Sequence, residues 1–346
     1  MSGLSPTALL SIVLGYLAFL FLVASVAEAF APRLARGRPR TLIYVLAASV
    51  YCTAWTFYGS VGLAANRGLE FLTIYLGPAC VALLWPVLLR KLVRVSKEQR
   101  ITSVSDFISS RYGKAAPLGT LVAVLVVCGM IPYIALQLKA VSASFKMILR
   151  EEAVLDVFDP TLVVAVTLAL FGILFGARNL DFTKRQTGLM TAVAVESVVK
   201  LLAFLIVGVY VTWGLFGGFA DLFGRVAENP QLARLLTLDQ AGTASYSRWV
   251  AMLVISMFAV MFLPRQFHVL VVQNQRERDV NAVSWTFPLY LLLINVFVLP
   301  LAFAGLLVFP EAGAQADGFI LRLPLAFDSR LISVIVFLGG FSAATA

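Results

Sequence analysis

Polar and aromatic side chains crowd the middle of the second apolar segment of this sequence, in the stretch VYCTAWTFYGSVG. Thr53, Thr56 and Ser60 offer side-chain oxygens, while Gly59 and Gly62 relax the helical backbone. Inside a membrane, irregular backbone is tolerated only where it is buried in protein or lines a water-filled cavity. Carbonyls freed at such a break can ligate a small cation, and the adjoining rings can wall a solute pocket. The stretch is therefore a candidate for a helix break with a binding site around it.

A different interpretation of the same stretch needs no site. Aromatic residues also gather at membrane interfaces, and small residues also let helices pack closely. The rings of Trp55 and Tyr58 stand near the centre of the segment rather than at its ends, which argues against an interfacial belt. Composition alone leaves both interpretations open.

Two ionisable residues share the sixth apolar segment, in the stretch VESVVK. Glu196 and Lys200 are four residues apart, with the acid on the N-terminal side, which is the order that pairing along a helix favours. Either they neutralise each other in the membrane, or they line an ion or proton path. A third charge, Lys139, follows Gln137 in IALQLKA, and its side chain is expected to extend to the outer surface.

The residue types needed for soluble-type catalysis are missing. The single histidine, His268, cannot by itself supply a metal site or a catalytic triad, and a packing or solvated role is expected. The three cysteines, Cys52, Cys80 and Cys128, lie in apolar segments without CxxC spacing. No glycine-rich phosphate motif is present. The chain itself is not expected to be an enzyme or to hold a cofactor, apart from a coupling ion.

The elements that must position these residues are membrane helices. Hydrophobic residues make up 60% of the chain and charged residues 13%, which is too apolar for an ordinary soluble domain. A spanning helix needs about 20 mostly apolar residues. About nine segments of that kind fall at 8–30, 41–63, 70–92, 116–138, 161–177, 188–216, 249–271, 283–309 and 331–346. The last is too short to cross, so the chain is expected to be part of a longer protein.

Basic residues are concentrated in alternate connections between these segments. The net charge is +9, and most of the 27 lysine and arginine residues lie in 31–40, 90–114, 178–185 and 265–278. Cytoplasmic loops carry such an excess, so the N-terminus is expected outside, and the basic charge indicates topology rather than nucleic-acid binding. The bilayer is the expected partner surface. In ITSVSDFISSRYGK, apolar residues at helical spacing predict a short amphipathic helix on the basic side.

Five stretches, taken in order, carry a resemblance to a known family. They are YCTAWTFYGSVGLAANRGLEFLTIYLGP, ITSVSDFISSRYGK, GLMTAVAVESVVK, LPRQFHVLVVQN and FLGGFSAATA. The ordered set is far more specific than any one motif and extends over nearly the whole chain. On these residues the chain resembles the sodium/solute symporter family. LPRQFHV and the YCTAWTFYG form resemble in particular the CbrA-like branch, whose transporter domain is fused to a sensor histidine kinase.

The resemblance implies an all-α polytopic membrane protein, built as a LeuT-like bundle of two inverted five-helix repeats. Residues 1–346 would form one symporter-like transmembrane domain that is incomplete at its C-terminus. Within it, 1–40 would be an extra N-terminal helix and basic loop, 41–216 the first inverted repeat and 248–346 part of the second.

The resemblance also implies where a coupling ion would bind. Sodium-ligating carbonyls would fall at Ser49 and Cys52, and the first of two hydroxyl ligands at Ser342. Ala343 stands where the family has the second hydroxyl. Because a hard cation needs several oxygen ligands, the missing oxygen weakens a sodium site, and sodium and proton coupling both stay open.

Further roles implied by the resemblance concern the solute and the coupling path. Solute-facing positions would be Thr53, Trp55 and Thr56, with Tyr58 as a further pocket residue. Glu196 matches an acidic residue near the inner end of the fifth core helix, and together with Lys200 it is assigned to coupling or to an ion path.

The function implied is that of a transporter-like sensor. It would bind a small polar nutrient, expected to be an amino acid, with coupling to a cation and with transport itself left open. It would signal through a missing C-terminal part to a histidine kinase and a response regulator. The alternative is a plain sodium- or proton-coupled solute symporter without signalling. The expected location is the inner (plasma) membrane.

Overall fold

All regular secondary structure in the described part of the chain is helical. The computed structural model describes residues 5–34, 37–149, 160–171, 173, 186–238 and 243–345. In these ranges four helices are long and apolar enough to cross a membrane, and two bent pairs are long enough if each pair is one span. The prediction of an all-α polytopic membrane protein is confirmed.

The helices follow the predicted segments in order. The first half of the chain contains α1 (Pro6–Ala29), α2 (Gly37–Tyr51), a π-helical turn (Trp55–Gly59), α3 (Ser60–Arg67), α4 (Thr73–Ala82), α5 (Leu88–Glu98), α6 (Val104–Ser110), α7 (Ala116–Leu149) and α8 (Pro160–Phe171). The second half contains α9 (Thr187–Leu215), α10 (Phe219–Glu228), α11 (Thr243–Phe262), α12 (Pro264–Val272), α13 (Asp279–Asn295), α14 (Val298–Val308), a 3₁₀ segment (Gly313–Gly318), α15 (Phe319–Ala326) and α16 (Arg330–Thr345). The short helix α6 lies in the predicted amphipathic stretch, and Ser103 caps it by accepting from the amide of Asp106.

Two segments run further than the sequence predicts. Helix α5 continues to Glu98 and α7 to Leu149, although both extensions carry basic residues. Their apolar side chains, such as Val93 and Phe145, are buried against the bundle. A hydropathy pattern ends at the first charges, whereas an amphipathic helix continues as long as one face is buried.

Two helices are broken inside the bundle. Helix α2 and the helix beginning at Trp55 meet at 62°, and α11 and α12 meet at 50°. At the second break, Pro264 removes a backbone donor and holds Leu263 in an extended conformation (φ −57°, ψ 127°). At the first break, Cys52 is extended (φ −81°, ψ 106°) and no proline is involved. The sequence predicts the first break but not the second.

The glycines of the polar stretch lie beyond the first break and serve close packing. A Cβ atom at Gly59 would stand 2.9 Å from the Trp55 ring, and one at Gly62 would overlap the Asp317 carboxylate. The break itself therefore depends on the groups that receive its free carbonyl and amide, and not on glycine flexibility.

Helix α9 lies at the centre of the bundle, packed against α1, α2 and α16. It buries Glu196, Ser197, Lys200 and Thr212 among apolar neighbours. The hydroxyl of Tyr290 on α13 donates to the Ser197 carbonyl at 2.7 Å, which fastens another helix to the same polar face. Helix α9 therefore joins α1, α2, α13 and α16.

We call the end of the bundle that carries 90–114 and 273–279 the basic end. It is closed by a buried ion pair in which Arg40 contacts both carboxylate oxygens of Asp279, at 3.0 and 3.1 Å, while Thr41 donates to the same carboxylate. Nearer the surface, Arg94 pairs with Glu277 at 2.8 Å. The opposite end is joined more lightly, with Arg248 paired to Glu70.

Removing a buried ring tests the packing of the bundle. Trp85 is 0% exposed and stacks on Phe287 with ring centroids 5.0 Å apart. We expect Trp85→Ala to lower the free energy of unfolding by roughly 3 kcal/mol or more, because a cavity remains. Trp285, which is 71% exposed, is the matched control, and its replacement by alanine should change little. Thermal unfolding in detergent measures both, and equal effects would contradict the packing described.

Candidate ion and solute site

At the break after α2, no backbone amide of the described residues binds the Cys52 carbonyl, and the Ser49 carbonyl keeps only a 3₁₀-type bond from the Cys52 amide at 3.0 Å. Ser49 and Cys52, the two positions at which sodium-ligating carbonyls are expected, both lie in this turn and are buried. In the interior of a membrane protein such carbonyls need a donor or a cation. The break is therefore the place where a positive group is required.

The ammonium of Lys200 fills that place. Its Nζ atom donates to the Ser49 carbonyl at 3.2 Å and to the Cys52 carbonyl at 2.5 Å, and the side chain is 0% exposed. Ser49 and Cys52, which the resemblance assigns to a sodium site, thus form one cluster with Lys200, which it assigns to an ion path. The cation at these carbonyls is a side chain of the protein itself.

Glu196, one helical turn away, is bound to α16 instead of to Lys200. Its carboxylate accepts from the Thr345 hydroxyl at 2.6 Å, and its carbonyl accepts from the Ser342 hydroxyl at 3.0 Å. No ion pair within 4.0 Å joins Glu196 to Lys200, both of which the structure describes. The two charges influence each other only at longer range, so direct pairing is not how the bundle accommodates them.

Ser342, the third expected sodium ligand, has its own partners. Besides donating to the Glu196 carbonyl, its hydroxyl accepts from the Tyr16 hydroxyl at 2.8 Å. Helix α1 thereby joins the polar network through Tyr16. The Ser342 oxygen is committed to this network, while the Ser49 and Cys52 carbonyls are bound by Lys200.

Two glutamines bind further backbone groups next to the break. Gln137 on α7 accepts from the Ala54 amide at 3.1 Å, and Gln266 on α12 donates to the Ala48 carbonyl at 2.9 Å. Both side chains are buried. The sequence interpretation missed these roles, although a lone amide inside an apolar segment is a usable signal. Through Gln266 the two broken helices contact each other.

A second cation lies close to the cluster. Arg265, at the start of α12, donates to the Tyr133 hydroxyl at 2.5 Å and lies 5.2 Å from the centre of that ring. The titratable groups that act on Lys200 electrostatically are Cys52, Glu196 and Arg265. Two cations and one carboxylate therefore surround the break, and a further metal cation would meet net positive charge.

A cleft of about 110 Å³ opens beside the π-helical turn. Its walls are this turn, α7 and the 3₁₀ segment before α15. Of the residues expected to face a solute, Trp55 and Tyr58 line the cleft, whereas Thr53 and Thr56 are buried behind it. Tyr58 is held in place because its hydroxyl accepts from Ser144 at 2.9 Å.

The buried threonines have local backbone roles. The Thr53 hydroxyl accepts from the amide of Trp55 at 3.3 Å, and the Thr56 carbonyl accepts from the Ser60 hydroxyl at 2.6 Å. The first contact uses the threonine side chain and lies within the irregular turn, whereas the second uses only the backbone of Thr56. The tertiary structure thus divides the four expected residues into two that line the cleft, Trp55 and Tyr58, and two that are buried outside it, Thr53 and Thr56.

Loss of the Gln137 amide tests how the break is held. We expect Gln137→Leu to lower the free energy of unfolding by about 1–3 kcal/mol, because the buried Ala54 amide would lose its acceptor. Gln231→Leu, at an exposed position in the connection after α10, is the matched control. Thermal unfolding in detergent is the measurement. Equal stability of the two variants would mean that Gln137 does not support the break.

Comparison with known proteins finds a similarity to a protein named as a symporter. No family model matches the chain. The chain is 27% identical over 308 residues to a protein of Bacillus subtilis (strain 168) named as the uncharacterized symporter YhjB. The match covers 87% of this chain but spans only 58% of the length of that relative. The relative is named as a symporter, and the apolar helices of the described residues are those of a membrane protein.

Proposed function

We propose that this chain is the membrane domain of a proton-coupled transporter for a small polar solute, with amino acids as the solute class. The observation that carries the proposal is the Lys200 ammonium bound to the Ser49 and Cys52 carbonyls at the helix break. The similarity to a symporter supports the transport part, and the resemblance to the sodium/solute symporter family supports the solute class.

The occupied carbonyls favour protons over sodium as the coupling ion. Sodium would need several oxygen ligands, yet the two carbonyls already accept from Lys200 and the Ser342 hydroxyl donates to the Glu196 carbonyl. Loss of the Lys200 proton would remove the charge that holds α9 to α2 at the break. Protonation of this residue can therefore bias the bundle between two arrangements, which is what a coupling ion does.

The ends of the bundle fit alternating access. The basic end is closed by the Arg40–Asp279 pair, while the solute cleft lies between the break and the 3₁₀ segment at the opposite end. Because cytoplasmic loops carry the excess of basic residues, the basic end is the proposed cytoplasmic side of an inner membrane, with the N-terminus outside. Passage of solute to that side would require the Arg40–Asp279 pair to open.

Signalling is the second part of the proposal, and it rests on the resemblance to the kinase-fused branch. Occupancy of the cleft would shift the bundle between its two arrangements, and kinase modules outside this chain would respond, together with a response regulator. A plain symporter without signalling is the alternative, and the name of the Bacillus subtilis relative favours it. The domain division of the chain, with 41–216 and 248–346 as inverted repeats, is common to both.

Uptake into proteoliposomes tests the coupling ion. With the full-length protein and radiolabelled amino acids offered singly, we expect an inward proton gradient to drive uptake, with no change when sodium is replaced by choline. Lys200→Gln should reduce proton-driven uptake at least tenfold, because the carbonyls lose a cation that can give up its proton. Lys91→Gln, on the exposed face of α5, is the charge-matched control and should transport normally.

A sodium requirement, with Lys200→Gln as active as the unmodified protein, would contradict proton coupling. Size-exclusion profiles of both variants establish that they are folded. Autophosphorylation of the full-length protein with and without solute separates the sensor from the plain symporter, since only a sensor changes its phosphorylation when solute is added.

A further inference from the structure

The solute cleft carries two opposite charges that the ion site does not use. Lys139 projects from α7 and Asp317 from the 3₁₀ segment, and both line the cleft with Trp55. The sequence predicts that Lys139 extends to the outer surface, and in the structure this residue is exposed and also lines the cleft. An acid and a base therefore face one small cavity from two different elements.

Neither charge has an ion-pair partner among the residues that the structure describes, since Lys139 and Asp317 form no ion pair within 4.0 Å either with each other or with another residue. Partial burial raises the pKa of the Asp317 carboxyl above its ordinary value, and the charge of Lys139 offsets this only in part. The two groups interact electrostatically across the cleft, but both remain available to a ligand.

The fold holds Asp317 against the helix that carries the break. Gly62 has no side chain at the point where the Asp317 carboxylate packs. Asn66 donates to the Gly62 carbonyl at 2.8 Å and to the Gly313 carbonyl at 3.1 Å, which ties the 3₁₀ segment to α3. The position of the carboxylate over the cleft is thus fixed by backbone contacts rather than by an ion pair.

We infer that Lys139 and Asp317 form a subsite for a zwitterionic solute, with the solute carboxylate at Lys139 and its ammonium at Asp317. A solute with only a negative charge would face Asp317, and one with only a positive charge would face Lys139. Trp55 lies beside the pair and offers a ring face to the ammonium or to a small side chain. The inference rests on the proposed transport function and adds the residues that select the solute by charge.

The test measures ligand-induced thermal stabilisation of the full-length protein, since a ligand that binds the folded state raises its stability. The probes are the standard L-amino acids, added singly, with their amides and their N-acetyl derivatives. We expect at least one free amino acid to stabilise the protein, and its two derivatives to bind about tenfold more weakly, because each lacks one charge-assisted contact.

Substitutions assign each contact. Lys139→Gln should weaken amino-acid binding about tenfold while leaving amide binding unchanged, and Asp317→Asn should do the same while leaving N-acetyl binding unchanged. Lys139→Arg keeps the charge and should retain binding. Lys146→Gln on α7 and Asp328→Asn near α16 are exposed controls outside the cleft, and neither should change affinity.

Three results would overturn the subsite. They are unchanged amino-acid binding in both neutral variants, derivatives that bind as tightly as the parent amino acid, and no stabilisation by any amino acid. The comparison of amino acids with their amides and N-acetyl derivatives uses the unmodified protein. It therefore tests the subsite even where a variant does not fold. If proton-driven uptake is unaffected in both Lys139→Gln and Asp317→Asn, the subsite is contradicted and the transport proposal is not. If amino-acid binding depends on Lys139 and Asp317 but no gradient drives uptake, the transport proposal is contradicted and the subsite is not.

Discussion

Interrupting a helix inside a membrane leaves backbone carbonyls and amides that lipid cannot satisfy, and the arrangement of this bundle follows from that constraint. At the break after α2 the unpaired groups are received by side chains from three other helices. Lys200 comes from α9, Gln137 from α7 and Gln266 from α12. A buried lysine is costly to desolvate, but here its N–H groups meet carbonyls that equally need a donor. The hydrogen bonds between Lys200 and the carbonyls therefore offset part of the desolvation cost of the ammonium and part of the cost of burying the carbonyls.

The side chains that bind the broken backbone also determine what lies on either side of the break. On the side of α9, the polar face continues through Glu196 to Ser342, Thr345 and Tyr16. On the other side, the irregular turn presents Trp55 and Tyr58 to a cleft. An ion-linked network and a solute cleft are thus neighbours because they share one stretch of irregular backbone. A change in the charge of Lys200 would reach the cleft through the turn that both use.

Charge is distributed along the bundle in three different ways. At the basic end, Arg40 and Asp279 form a buried ion pair that joins α2 to α13. At the centre, Lys200 is neutralised by backbone dipoles more than by a carboxylate. In the cleft, Lys139 and Asp317 face each other without contact. The last arrangement leaves both charges without an ion-pair partner among the described residues, whereas in the other two the charged groups are hydrogen-bonded within the chain.

The sequence by itself determined the class of the protein, the order of its membrane segments and the region of the first break. These depend on local composition: apolar length, basic connections and a run of hydroxyl, ring and glycine residues in one helix. It also singled out Ser49, Cys52, Glu196 and Lys200. Only the tertiary structure decided that Lys200 occupies the carbonyls expected to hold sodium, since that contact joins positions about 150 residues apart.

The roles of Gln137, Gln266 and Asp317 were likewise beyond the sequence, because a hydrogen bond or a cleft wall depends on which helices become neighbours. Local pattern predicts where backbone must be irregular. The partner that satisfies it is chosen by packing, and packing is a property of the whole bundle.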